Sequence, residues 1–257
     1  MSHLEPPVRA HHRVWPRRLP HALQPPQTSL WENLSVSARR YPDKAALVFF
    51  DRVTTYAELH EQAERLAAHL RAQGVRDGDR VILLLQNCPQ WIVACYAVLR
   101  ANAVVVPVNP MNKADELGHY ITDPDARVAV CAADLAGELL KANAQVPEAQ
   151  RLRHLVVTHY ADAIGPVDDA SGMPPAWQGW LGARHDRPAL PGGDVATWTE
   201  ALACTAPLPE HNRGPDDLAV LPYTSGTTGL PKGCMHPHRS LMHNAVASAL
   251  WLSLIHI

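Results

Sequence analysis

The chain has 257 residues, 47% hydrophobic and 19% charged, which is enough for one large soluble domain or two small ones. Its 23 basic and 25 acidic residues leave a formal net charge of −2, which argues against a nucleic-acid-binding surface. Five cysteines, at 88, 95, 131, 204 and 234, form no C-x-x-C pair and read as reduced thiols of a cytosolic protein, with no apolar run near the ~20 residues a membrane-spanning helix needs.

Residues 1–28 carry four Arg, one Glu and six Pro and read as an extended, disordered lead-in. Residues 29–257 read as one domain. Ser29-Leu30-Trp31-Glu32 has the pattern of a capping box, opening a helix that must stop before Pro42. Ala45 to Phe50 reads as a strand and Asp51-Arg52 as a turn. Thr55-Tyr56-Ala57-Glu58 is a second capping box; Leu59, Ala63, Leu66 and Leu70 then share one helical face, and Gly74 supplies the stop. Val81 to Leu85 is continuously apolar, as expected of a strand covered on both faces.

Asn87-Cys88-Pro89 opens a helix through Trp91, Val98 and Leu99. Strands follow at 104–108, 127–131 and 155–158, with helices at 113–121 and 135–142 between them. This alternation implies βαβ units and a largely parallel sheet, hence the α/β class. The Pro-, Gly- and Asp-rich stretch 160–196, with Trp177 and Trp180, breaks it. That stretch reads either as a long surface excursion or as a flap bordering a substrate channel. Thr197-Trp198-Thr199-Glu200 is a further helix cap. Fifteen histidines are scattered, and the close clusters His11-His12 and His236-Pro237-His238 lack metal-ligand spacing, so no metal site is predicted.

The most informative stretch is Tyr223-Thr224-Ser225-Gly226-Thr227-Thr228-Gly229-Leu230-Pro231-Lys232-Gly233. Five of its eleven residues are Thr, Ser or Lys and three are Gly. Such a loop offers backbone N–H groups, hydroxyls and one ammonium to a concave spot, which is what a polyphosphate requires. It follows the apolar run Leu218 to Leu221 and precedes a helical pattern near Pro237. The predicted geometry is therefore strand, Gly-rich turn, helix. It is not a Walker A loop, because Pro231 stands where the second glycine is needed and Gly233 follows the lysine.

The eleven residues resemble the phosphate-loop signature of the adenylate-forming superfamily of acyl-CoA synthetases, peptide-synthetase adenylation domains and luciferases. The segments Leu30 to Lys44, Thr54 to Leu70 and Gln86 to Asn112 resemble its long-chain fatty-acid–CoA ligase branch. The resemblance implies a layered αβαβα fold with largely parallel sheets, of which this chain is the N-terminal part. It implies two-step chemistry: a carboxylate attacks the α-phosphorus of ATP, and coenzyme A then displaces AMP. On it, Thr224, Ser225, Gly226, Thr227, Thr228 and Gly229 cradle the β- and γ-phosphates, and Lys232 offsets charge on departing pyrophosphate. His238-Arg239 positions the next helix.

Magnesium is implied as cofactor. The family's magnesium glutamate and C-terminal lysine have no counterpart before Ile257, so the chain reads as truncated and inactive by itself, with a poorly fitting tail at 252–257. The implied partners are fatty acid, ATP and coenzyme A. The implied location is cytoplasmic, at most peripheral to a membrane. The alternatives are a peptide-synthetase unit loading a carrier protein, marked by an acidic pocket residue for the amino group, and a non-catalytic nucleotide-binding fragment.

Overall fold

A computed structural model describes residues 10–17, 19–164, 173–224 and 229–252. The expected order of elements is present. Helix α1 (Leu30–Arg40) starts at Ser29, whose Oγ accepts from Glu32 N at 3.4 Å. A hairpin of β1 (Ala45–Phe49) and β2 (Arg52–Thr55) leads into α2 (Tyr56–Ala72). The α2 capping box is complete, with Glu58 N donating to Thr55 Oγ1 at 3.2 Å and Thr55 N to Glu58 Oε2 at 2.7 Å. Its predicted apolar face, Leu59, Ala63, Leu66 and Leu70, is buried.

There follow β3 (Arg80–Leu84), α3 (Pro89–Arg100), β4 (Val104–Pro107), α4 (Ala114–Thr122), β5 (Val128–Ala132), α5 (Ala136–Gln145) and β6 (His154–Thr158). Next come α6 (Pro175–Leu181), β7 (Asp194–Thr197), α7 (Trp198–Leu202) and β8 (Leu218–Val220). The described part ends with β9 (Tyr223–Thr224), β10 (Lys232–Gly233), β11 (His236–Pro237) and α8 (His238–Leu252).

The central sheet has seven strands in the order β11-β8-β4-β3-β5-β6-β7, parallel except for β11 against β8. The predicted largely parallel α/β architecture is therefore the observed one. Among the described residues it comprises one large sheet with helices on both faces. Strand alternation sorts the two cores. Val81 and Leu83 face one apolar cluster with α1, α2, α3 and α7, whereas Ile82 and Leu84 face another with α4 and α5. From β3 the chain steps outward to β4 and then crosses back over β3 to β5. The covering helix switches faces with it.

Four expectations are corrected. Arg52 begins a strand and is not a turn residue; the reversal is carried by Phe50 in the left-handed region at φ 53. The excursion at 160–196 contributes an edge strand, β7, and α6. Residues 165–172 lie outside the described part. The lead-in is partly structured: Ala10–Val14 forms a 3-10 turn, Leu19 is buried, and the Trp15 ring lies edge-on to Trp251 at 5.6 Å. Finally, the Gly-rich segment is not a turn running into a helix, because the two-residue strands β9, β10 and β11 stand between β8 and α8.

Candidate functional site

Tyr223–Thr224 and Lys232–Gly233 pair as an antiparallel hairpin ladder, with Lys232 opposite Thr224 and Gly233 opposite Tyr223. Leu221 N donates to Val105 O at 2.8 Å, carrying the sheet's pairing up to the hairpin's base. Cys234 N donates to Pro222 O at 2.7 Å and closes that base. Directly opposed residues of an antiparallel pair share a face. Thr224 and Lys232 therefore occupy one face, which is exposed, and Tyr223 and Gly233 occupy the other.

Glycine fits position 233 by space, where a side chain would crowd its neighbours. A Cβ there would stand 3.1 Å from Leu221 Cδ1 and 3.3 Å from Tyr223 Cζ. Gly229 is required by conformation, since its φ is +99 and a Cβ there meets nothing within 4 Å. Ser225, Gly226, Thr227 and Thr228 lie outside the described residues. Of the predicted phosphate-binding set, Thr224 and Gly229 are placed in the hairpin, and Lys232 is placed across from Thr224. The Lys232 ammonium forms no ion pair with a described residue, and Thr224 Oγ1 lies 3.7 Å from Cys234 Sγ.

The opposite face packs on α4. The Tyr223 ring stands edge-on to Tyr120 at 4.8 Å and to His119 at 5.7 Å. Its hydroxyl donates to Asp123 Oδ2 at 2.5 Å, and burial together with that carboxylate pushes the phenol's pKa up, so the proton stays on oxygen. On the other arm, His119 Nε2 donates to the Pro231 carbonyl at 2.7 Å. The sequence reading passed over both α4 residues, which look like ordinary polar positions at a helix end.

His238 is buried as the first residue of α8, and its Nδ1 accepts from Leu30 N at 3.0 Å. It thereby supplies a partner to one of the N–H groups that the start of α1 leaves free. His211 Nε2 lies 2.7 Å from Ser29 Oγ beside it. Arg239 pairs with Asp216. A separate apolar recess of about 350 Å3 at the carboxyl end of β3 is lined by Leu47, Phe49, Cys88, Pro89, Trp91 and Ile92 among others. Near it, Trp177 of α6 lies edge-on to Phe50 at 6.4 Å, and Trp180 Nε1 donates to Asp134 at 3.1 Å. Helix α6 is thus pinned over the carboxyl edge of the sheet.

Among the described residues no three His, Cys, Asp or Glu side chains come together as metal ligands, and no residue of this chain is assigned to magnesium.

The sequence matches the family described as AMP-binding enzyme over residues 34–255. It is 31% identical over 246 residues to a long-chain-fatty-acid–CoA ligase of Bacillus subtilis, spanning 93% of this chain and 41% of that protein. It is 36% identical over 208 residues to the phosphinothricin tripeptide synthetase PhsC of Streptomyces viridochromogenes, spanning 81% of this chain and 15% of that one. The fold matches the crystal structure of a long-chain-fatty-acid–CoA ligase from Archaeoglobus fulgidus with a TM-score of 0.65 at 26% identity, over 89% of this chain and 40% of that chain.

Proposed function

The chain belongs to the AMP-binding enzyme family, and from that premise we propose that the protein it builds is a fatty acyl-CoA ligase. Its reaction joins a fatty acid to AMP with loss of pyrophosphate, then passes the acyl group to the thiol of coenzyme A. The observation that carries the reading is the antiparallel pairing of β9 with β10, with Thr224 and Lys232 on one exposed face. The carboxylate is the nucleophile and pyrophosphate the leaving group, so the protein's part is alignment and charge stabilisation. Thr224, Ser225, Gly226, Thr227, Thr228 and Gly229 donate to the β- and γ-phosphate oxygens. Lys232 compensates the negative charge that accumulates as pyrophosphate departs. Magnesium, when bound, supplies further charge neutralisation on the phosphates.

The fatty-acid assignment leans on the 31% identity to the Bacillus ligase. A second reading, an adenylation unit that loads an amino acid onto a carrier, leans on the 36% identity to the tripeptide synthetase. Among the described residues no helix is long and apolar enough to cross a membrane.

The test is pyrophosphate release by the full-length protein across acetate, octanoate, palmitate, benzoate and a set of amino acids, with coenzyme A present or absent. Release with octanoate or palmitate, and acyl-CoA formation only with coenzyme A, is the expected result. Exchange of pyrophosphate with amino acids alone would replace the ligase reading with the second one.

A further inference from the structure

Among its described residues the phosphate hairpin has a short ladder of its own. Each of its strands, among the described residues, is two residues long, with Lys232 paired to Thr224 and Gly233 to Tyr223. A short two-stranded ribbon is marginal in water. Beyond the bonds at its base, two side chains at the end of α4, His119 and the capping Asp123, reach its arms. Asp123 accepts from Tyr223 on the first arm at 2.5 Å, and His119 donates to the Pro231 carbonyl on the second arm at 2.7 Å. Pro231 directly precedes Lys232, so the His119 contact fixes the peptide from which the lysine stem leaves. The two anchors sit four residues apart on one helix face and reach opposite arms. The α4 helix itself is held by Leu117, Tyr120 and Ile121, buried in the core on that side of the sheet.

We propose that His119 and Asp123 are positioning residues that clamp the two arms of the hairpin to α4 and so set where the Lys232 ammonium stands. This rests on the adenylation reading for its catalytic consequence, but not for its structural one. Neither residue touches substrate. Both act through the hairpin, and a lysine displaced by about an ångström loses much of its effect on a developing charge.

Two measurements on the full-length protein test this. The first is hydrogen–deuterium exchange of peptides covering residues 222–234, with peptides covering β3 and β5 as internal reference. Tyr223→Phe removes the hydroxyl and keeps the ring; His119→Ala removes the donor; His119→Gln restores an amide donor. Each loss should speed hairpin exchange about tenfold, the worth of one hydrogen bond, while β3 and β5 keep their wild-type rates. The second is the kinetics of pyrophosphate release. Tyr223→Phe and His119→Ala should lower kcat by roughly 10- to 100-fold with the carboxylate KM unchanged, and His119→Gln should recover most of it.

Hairpin exchange equal to wild type in both loss variants overturns the clamp. So does faster hairpin exchange with undiminished kcat. A uniform rise of exchange across β3 and β5 overturns it as well, because the residues would then serve general stability. If the wild-type protein releases no pyrophosphate with any carboxylate, the functional reading fails and the exchange arm alone decides the clamp.

Discussion

On the proposed reading, Lys232 is the residue on which the chemistry turns. It is exposed, opposite Thr224, and followed by a glycine whose Cβ would crowd Leu221. Charge on the leaving pyrophosphate grows toward the transition state, so an ammonium placed there acts on the barrier more than on binding. Lys232→Ala in the full-length protein should cost on the order of 2–4 kcal/mol in the barrier to adenylation with little change in carboxylate affinity. Thr228→Ala, which removes one neutral donor, should cost about 0.5–1.5 kcal/mol. Steady-state pyrophosphate release and equilibrium fatty-acid binding, measured side by side, check both. Equal turnover in Lys232→Ala and wild type would remove the lysine from the mechanism.

The buried imidazoles make a second residue-scale prediction. His69 Nε2 and His154 Nε2 stand 2.8 Å apart, and His154 Nδ1 has no partner. If His154 donates through Nε2, its orphan Nδ1 is a bare acceptor and not a stranded N–H, which is the cheaper arrangement. Burial lowers the pKa of His154 from 6.5 to about 4, helped by His69 and opposed by Asp194. Burial likewise lowers His211 and His238 to about 4, and lowers His69 against the pull of Glu200. The unfolded chain takes up protons at His154, His211 and His238 below about 6.5, and the folded one does so only near 4. Their contribution is complete above the unfolded pKa and is lost as pH falls through the window between the two values. Urea unfolding at pH 7, 6 and 5 should show a falling midpoint, and His154→Gln should flatten the fall. A midpoint independent of pH across that range would contradict the assignment.

At the scale of elements, helices were the most legible feature, because their caps and periodicity lie in adjacent residues. The Thr55 box and the Leu59, Ala63, Leu66, Leu70 face were readable in full. Thr55→Ala should cost about 0.5–2 kcal/mol of stability and Thr55→Ser much less, read as a shift in the urea midpoint; equal losses would mean the hydroxyl is not the source. Strands with both faces covered, such as Val81 to Leu84, were legible as apolar runs. The strands that were missed are those whose pairing, not composition, makes them. Arg52–Thr55 shows no alternation and is a strand because it returns along Ala45–Phe49. Asp194–Thr197 sits in a Pro- and Gly-rich stretch and exists by pairing with His154–Thr158. At the candidate site, the residue types of the hairpin are those on which the proposed phosphate binding rests. The clamp on α4 was not visible, because Asp123 and Tyr223 are 100 positions apart and neither carries a local signal.

Across the whole molecule, the sheet separates two cores that share strands but pack different helices. Leu66 of α2 is fully buried in the core with α1, α3 and α7, and Leu117 of α4 is buried in the core with α5 and the base of the hairpin. Among the described residues, Leu221 and Tyr223 at the base of the hairpin thus pack on the α4 side of the sheet. Helix α8 is tied to the body mainly at its first turn, where His238 and Met242 are buried, while Trp251 and Leu252 at its end are exposed. Leu66→Ala and Leu117→Ala should each cost roughly 2–5 kcal/mol. Lying on opposite faces, they should add to within about 0.5 kcal/mol in the double variant. Hairpin exchange should respond to Leu117→Ala, which loosens α4, and not to Leu66→Ala at equal stability loss. Urea unfolding of the two single variants and the double variant, with exchange of residues 222–234 measured in each single one, is the check. A large non-additive term, or hairpin exchange that follows Leu66→Ala equally, would mean that the sheet transmits packing strain and that the two cores act as one.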